Sequence, residues 1–114
     1  MTYVKINNTL YAASITGNLI DKDWGNRSSK TIKLTMSAAT AIQLFVNDIS
    51  WSIVEQIPVY NKNDEIEETI ENEYDNSDYC IAGDITDHRD GTISVKMGKL
   101  TDREMINIMI GESV

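Results

Sequence analysis

Between Lys30 and Met36 the chain alternates strictly. Ile32, Leu34 and Met36 fall on one side and Thr31, Lys33 and Thr35 on the other. Successive side chains of a strand point to opposite faces, so this is a strand with one face in a core. The period then changes. Ala38, Ala41, Ile42 and Phe45 are spaced i, i+3, i+4, i+7 and share one helical face. Ser37 is a natural N-cap and Asn47-Asp48 a natural stop, which predicts a helix over about 37–47. Ser50 to Val59 returns to alternation, with Trp51 and Ile53 against Ser52. Pro58 lacks an amide hydrogen, so this strand should end there or lie at a sheet edge.

Upstream, Tyr3–Ile6 and Thr9–Ala12 flank Asn7-Asn8. Asn tolerates the positive φ of a tight hairpin turn. Ser14 to Ile20 predicts a further strand, in which Gly17 marks a bulge or a close backbone approach. Downstream, Tyr79–Asp87 and Thr92–Met97 flank Arg89-Asp90-Gly91, a hairpin signal, with Ile93, Val95 and Met97 facing inward. Thr101 and Glu104 have capping-box spacing. Met105, Ile108 and Met109 share a face and Gly111 suits a C-terminal cap, so the spacing predicts a helix over about 101–110. The expected core is Ile32, Leu34, Phe45, Ile53, Ile93, Val95 and Ile108.

This order of elements predicts an α+β fold: a mainly antiparallel sheet of about five to seven short strands packed with two helices. The length of 114 residues suits a single domain, residues 1–114, with a self-sufficient core. One segment departs from the pattern. Residues 61–78, NKNDEIEETIENEYDNSD, are rich in charge and poor in apolar residues. They predict an extended, mobile acidic loop between two strands, with a helical turn around Ile66 and Ile70.

That segment carries much of the formal net charge of -8. Phosphate contacts need clustered Lys and Arg, so direct nucleic-acid binding is not expected, whereas binding to a basic protein is compatible. The single cysteine, Cys80, cannot form an internal disulfide, which suits a reducing compartment or a particle assembled in one. No apolar run in the first residues has signal-peptide length and nothing approaches membrane-span length, so neither secretion nor a membrane partner is expected.

Catalytic signatures are missing from the pattern. The single histidine, His88, lies beside the Asp-Gly turn and is expected at the surface. Cys80 is expected to be a packed thiol. Asp84, Asp87 and Asp90 recur every third residue, but that spacing alternates faces in a strand and lacks the EF-hand pattern. No Gly-rich phosphate loop or Cys/His zinc spacing is present. The expectation is a protein that is not an enzyme, with no cofactor and no metal.

Two clusters are candidates for partner contacts. Trp24, Arg27 and Lys30 lie together in a loop over residues 21–29 and the start of the next strand. A Trp beside an Arg is the composition of interface hot spots. The same residues would equally suit internal packing, with Trp24 folded over the sheet edge and Arg27 paired to Asp21 or Asp23. The second cluster is Asp64, Glu65, Glu67, Glu68 and Glu71. It is either a solvated loop or a mimic of nucleic-acid charge that docks on a basic host protein.

The segments KINNTLY, DKDWGNRSSKTI, SWSIV, EYDNSDY and DGTISVKMGK together resemble small proteins encoded in phages and prophages of Gram-positive bacteria. The resemblance implies a viral protein made in the bacterial host cytoplasm and incorporated into the virion as a component of the tail region or another part of the particle. Its partners would be other phage structural proteins or further copies of itself. No functional residues come with it. Small acidic phage proteins also include inhibitors of host defence, so the second expectation is an anti-defence protein that binds a host factor or sequesters a signalling nucleotide.

Overall fold

A computed structural model describes residues 1–112, the side chains of 109–112 excepted. The elements in chain order are β1 (Thr2–Ile6), β2 (Thr9–Asp21), a single 3-10 turn (Lys22–Trp24), β3 (Arg27–Thr35) and α1 (Ala38–Leu44). They continue with β4 (Trp51–Tyr60), β5 (Ile66–Asp75), β6 (Ile81–Asp87), β7 (Thr92–Gly98) and α2 (Asp102–Glu112). All seven strands form one antiparallel sheet in the order β5-β4-β1-β2-β3-β7-β6. The fold is α+β, as the alternation and the change of period require.

Local chemistry sets the turns. Asn7 and Asn8 both have positive φ (51° and 64°), the mirror-image turn that matches strand twist in a two-residue hairpin. Arg89 and Gly91 also have positive φ in the β6–β7 hairpin, where Asp87 and Asp90 accept backbone amides of Arg89 and Thr92. Ser37 caps α1 by accepting the Thr40 amide. The strand expected at Ser14–Ile20 is the second half of β2, which runs unbroken from Thr9. Gly17 is neither a bulge nor a close approach. It pairs in register with Lys30 and has open space around it, and the irregularity lies between Asn18 and Asp21.

One face of the sheet holds the core. Val4, Ile6, Ile32, Leu34, Trp51, Ile93, Val95 and Met97 cluster there with Ala41 and Phe45 of α1. Ile53, expected in the core, is half-buried at its margin, while its neighbour Val54 is fully buried on the opposite face between Tyr3 and Glu73. Ile108, also expected in the core, is 48% exposed, and Met105 is exposed too. Met109 falls among the side chains outside the description. Among its described side chains no apolar stripe buries α2, and the helix runs through Gly111 rather than stopping there.

β4 is second in the strand order and β6 seventh, yet their beginnings meet. The Trp51 indole N–H donates to Tyr79 O at 3.0 Å, and the Ala82 amide donates to Asn47 Oδ1 at 2.8 Å. The segments leading into these two strands thus meet at the core, against which Ala41 and Phe45 of α1 and Tyr79 also pack. His88 is exposed in its turn with Nε2 at 2.7 Å from Ser94 Oγ, and Cys80 is a half-buried free thiol just before β6.

The segment 61–78 is not a mobile loop with a helical turn. Ile66–Asp75 is a strand, paired along β4 from Ser52↔Asp75 to Tyr60↔Ile66. The chain reverses at 61–65, where Asn61 Oδ1 accepts the amides of Asn63 and Glu65. Charge density suggested a solvated loop, but a strand at the end of a sheet needs only one partner, and its polar side chains stay in water. Pro58 lies inside β4 rather than ending it. The Gln56 amide donates to Met1 O, and residues two apart in a strand direct their backbone groups the same way. The donor that Pro58 lacks would therefore point past the end of β1, where no strand is waiting.

Candidate functional site

The loop around Trp24 is built by Asp21. Its carboxylate accepts the Asp23 amide at 3.1 Å and the Ser29 hydroxyl at 2.9 Å, and pairs with Lys96 at 2.5 Å. These bonds, Lys96 first and Ser29 second, hold the Asp21 carboxyl below its ordinary pKa. Asp21 is 2% exposed, so this pairing satisfies a charge that burial would otherwise penalise. Gly25 and Asn26 supply consecutive positive φ values of 67° and 60°, which turn the chain back so that the Asn26 amide reaches Asp21 O at 2.8 Å.

This turn lays the half-buried Trp24 ring across Gly83 and Gly98. A Cβ at Gly98 would lie 2.7 Å from Trp24 Cζ3, and one at Gly83 2.6 Å from Cη2. Gly83 lies in the β6 irregularity between Ala82 and Ile85, which opens room for the ring. The Arg27 guanidinium sits 5.2 Å from the Trp24 ring centroid. It donates from Nε to Trp24 O at 3.1 Å and from its terminal nitrogens to Lys99 O at 3.1 Å and both Glu104 oxygens at 2.7 and 3.0 Å. The capping box supplies the rest of the latch, with Glu104 accepting the Thr101 amide at 2.9 Å and donating its own amide to Thr101 Oγ1. Arg27 foremost, then the Thr101 amide, lower the Glu104 pKa from 4.5 to about 2.

Lys30 stands at the end of the core face. Its ammonium donates to Asn76 Oδ1 and lies 4.5 Å from the Tyr79 ring centroid. Trp24, Arg27 and Lys30 thus all have partners within the chain. The internal-packing alternative describes their geometry, with one correction: Arg27 pairs with Glu104, seventy-seven residues away, rather than with Asp21 or Asp23.

The second candidate cluster lies on a different structure. β1 covers β4 only between Trp51 and Glu55. Beyond that, β4 and β5 continue as a two-stranded arm, consistent with a molecule of 64 × 33 × 26 Å. Register assigns its two faces. On the core side lie Ile53–Tyr74, Glu55–Asn72, Ile57–Ile70 and Val59–Glu68, and on the other Val54–Glu73, Gln56–Glu71 and Pro58–Thr69. Ile57 and Ile70 are each 45% exposed and Tyr74 51% exposed, so apolar side chains stand uncovered on the core side of this strand pair, with the polar pair Glu55–Asn72 between them. Of the candidate carboxylates, Asp64 and Glu65 lie in the tip turn and Glu67, Glu68 and Glu71 on β5, all exposed. Glu73 was missed; it pairs with Lys5 at 2.9 Å. Ile57, Ile70 and Tyr74 were missed as well, although the alternation Ile70, Asn72, Tyr74 against Thr69, Glu71, Glu73 was a signal in the sequence.

Asp84, Asp87 and Asp90 do not converge, and no group of side chains suited to a metal ion forms among the described residues. No helix among them is long and apolar enough to cross a membrane. In comparisons with known proteins, the chain matches no family model, no curated protein and no solved structure.

Proposed function

We propose that this protein is a non-catalytic structural or assembly component of a phage, made in the bacterial cytoplasm and carried in the tail region of the virion. The β4–β5 arm is the surface it offers to other phage proteins. One observation carries the reading: the arm extends a core face into solvent and leaves Ile57 and Ile70 exposed along it, with Tyr74 exposed at its base. Exposed apolar side chains gathered on a projecting element mark contact surfaces. The phage resemblance of the sequence supplies the context. Purified virions should contain the chain by mass spectrometry, and Ile57→Lys with Ile70→Lys should remove it from particles while leaving it folded. A chain present in infected-cell lysate but never in particles overturns this reading.

The row of carboxylates on the arm favours a second reading, an anti-defence protein that binds a basic host factor. Binding to host nucleases, with loss on Glu67→Lys and Glu71→Lys, tests it. Its other form, sequestration of a signalling nucleotide, finds no support in the loop that suggested it, because Trp24, Arg27 and Lys30 already have internal partners.

A further inference from the structure

β5 closes one end of the strand order, so one of its sides faces no strand. The hydrogen-bond register shows which backbone groups that side presents. The Gln56 amide points to Met1, and the Asn76 amide donates to Trp51 O at 2.9 Å. Odd-numbered residues of β4 therefore direct their backbone groups toward β5. Their register partners Ile70, Asn72 and Tyr74 are bonded to β4, while Thr69, Glu71 and Glu73 direct their N–H and C=O groups outward. From Glu68 to Asp75 the pairing is regular, and the only irregularity lies near the tip at Val59/Tyr60. Neither a proline nor a bulge blunts this stretch of edge.

Resting on the arm as the contact surface, we infer that the β5 edge accepts an extended segment of a partner protein, added as a further strand, whose side chains alternate between basic and apolar. The two faces of β5 dictate that alternation. A strand laid on the edge places every second side chain beside Thr69, Glu71 and Glu73, where Lys or Arg would meet carboxylates at cross-strand distance. Its remaining side chains flank Ile70, Asn72 and Tyr74, where apolar groups extend the uncovered core face beside Ile70 and Tyr74 and meet the polar Asn72 between them. Main-chain bonds hold such a strand and alternate side chains select it. The net charge of -8 adds a field that draws a basic segment toward the edge. A second copy of this chain is the wrong occupant, because pairing β5 with β5 sets carboxylates against carboxylates.

A synthetic peptide of alternating Lys and Val, titrated into the whole protein and followed by amide hydrogen exchange, tests the inference. The expected result is new protection at the Thr69, Glu71 and Glu73 amides, with those of Ile70, Asn72 and Tyr74 unchanged. Thr69→Pro removes one outward donor and no bond to β4. It should keep the thermal midpoint and lower peptide affinity at least about tenfold. Glu71→Lys should weaken binding as well, and a peptide of alternating Glu and Val should not bind. Undiminished binding to Thr69→Pro, protection elsewhere, or dimerisation of the chain through this edge at neutral pH, where the carboxylates are ionised, overturns the proposal. Failure of the peptide while the chain is found in virions overturns strand addition alone. A peptide that binds as expected, with a chain absent from virions, upholds the edge site and overturns only the phage role.

Discussion

Trp24 is half-buried, not enclosed. It has two residues without side chains beneath it and a guanidinium above, and this arrangement makes a testable claim. Gly98→Ala pushes a methyl group into the ring and should cost about 1–3 kcal/mol, as overpacking does. In the Trp24→Ala background the same substitution should cost less, the remainder coming from Arg27 Cδ, also 2.7 Å from that methyl, and a double-mutant cycle read by chemical denaturation should give a coupling of about 0.5–3 kcal/mol. Additive costs would mean that the ring does not rest on Gly98. Phe45, at 3% exposure, is the opposite kind of residue, a large side chain enclosed on all sides. Phe45→Ala should cost about 3–5 kcal/mol. The sequence showed Phe45 plainly, because helical spacing puts it on the face of Ala38 and Ala41. It could not show Trp24 resting on glycines, or Arg27 reaching Glu104. Those contacts join segments far apart in the chain and leave no periodic trace.

At the scale of elements, the two helices differ in what holds them. α1 is buried through Ala41 and Phe45, whereas α2 is fastened at its first turn by Glu104, Thr101 and Arg27. A helix of this length is marginal alone in water. The Glu104 carboxyl titrates near 2 in the folded chain against 4.5 ordinarily. The folded state thus holds the proton less well, and the stabilisation it lends is present above 4.5 and is lost as the pH falls toward 2. Amide exchange should show α2 loosening across that window before the sheet does, and Arg27→Ala should produce the same loosening at neutral pH. The strands carry their own lesson. Alternation exposed β3, β4 and β7 because one face of each is buried, so the pattern is strong. β5 has no buried face, and its carboxylates hid it. The consequence is sharp: replacing 61–78 with a Gly-Ser connection should destroy the fold, because it removes β5 and buried Asn76 together. Shortening only the turn at 61–65 to Asn-Gly should leave the thermal midpoint close to that of the parent. If the larger replacement still folds, β5 is not part of the sheet.

For the molecule as a whole, the same sheet that encloses a core also presents an edge guarded by charge rather than by shape. Lowering the pH toward the sequence pI of about 4.4 should neutralise that guard and promote self-association, which light scattering would detect. Thr69→Pro should suppress it.

The strand order has a further consequence in time. Hairpins β1–β2, β2–β3, β4–β5 and β6–β7 join neighbours in sequence, but two seams do not: Tyr3 pairs with Val54, and Ser29 with Gly98. Each seam closes a long stretch of chain before any contact repays the lost entropy, which places folding in the millisecond-to-second range typical of non-local topologies. Stopped-flow refolding should then divide the mutants. Val4→Ala, in the first seam, should slow folding if that seam forms part of the nucleus. Ile57→Ala, on the arm, should act on the unfolding rate alone, because a strand pair beyond β1 gains nothing until the seam beside it has closed.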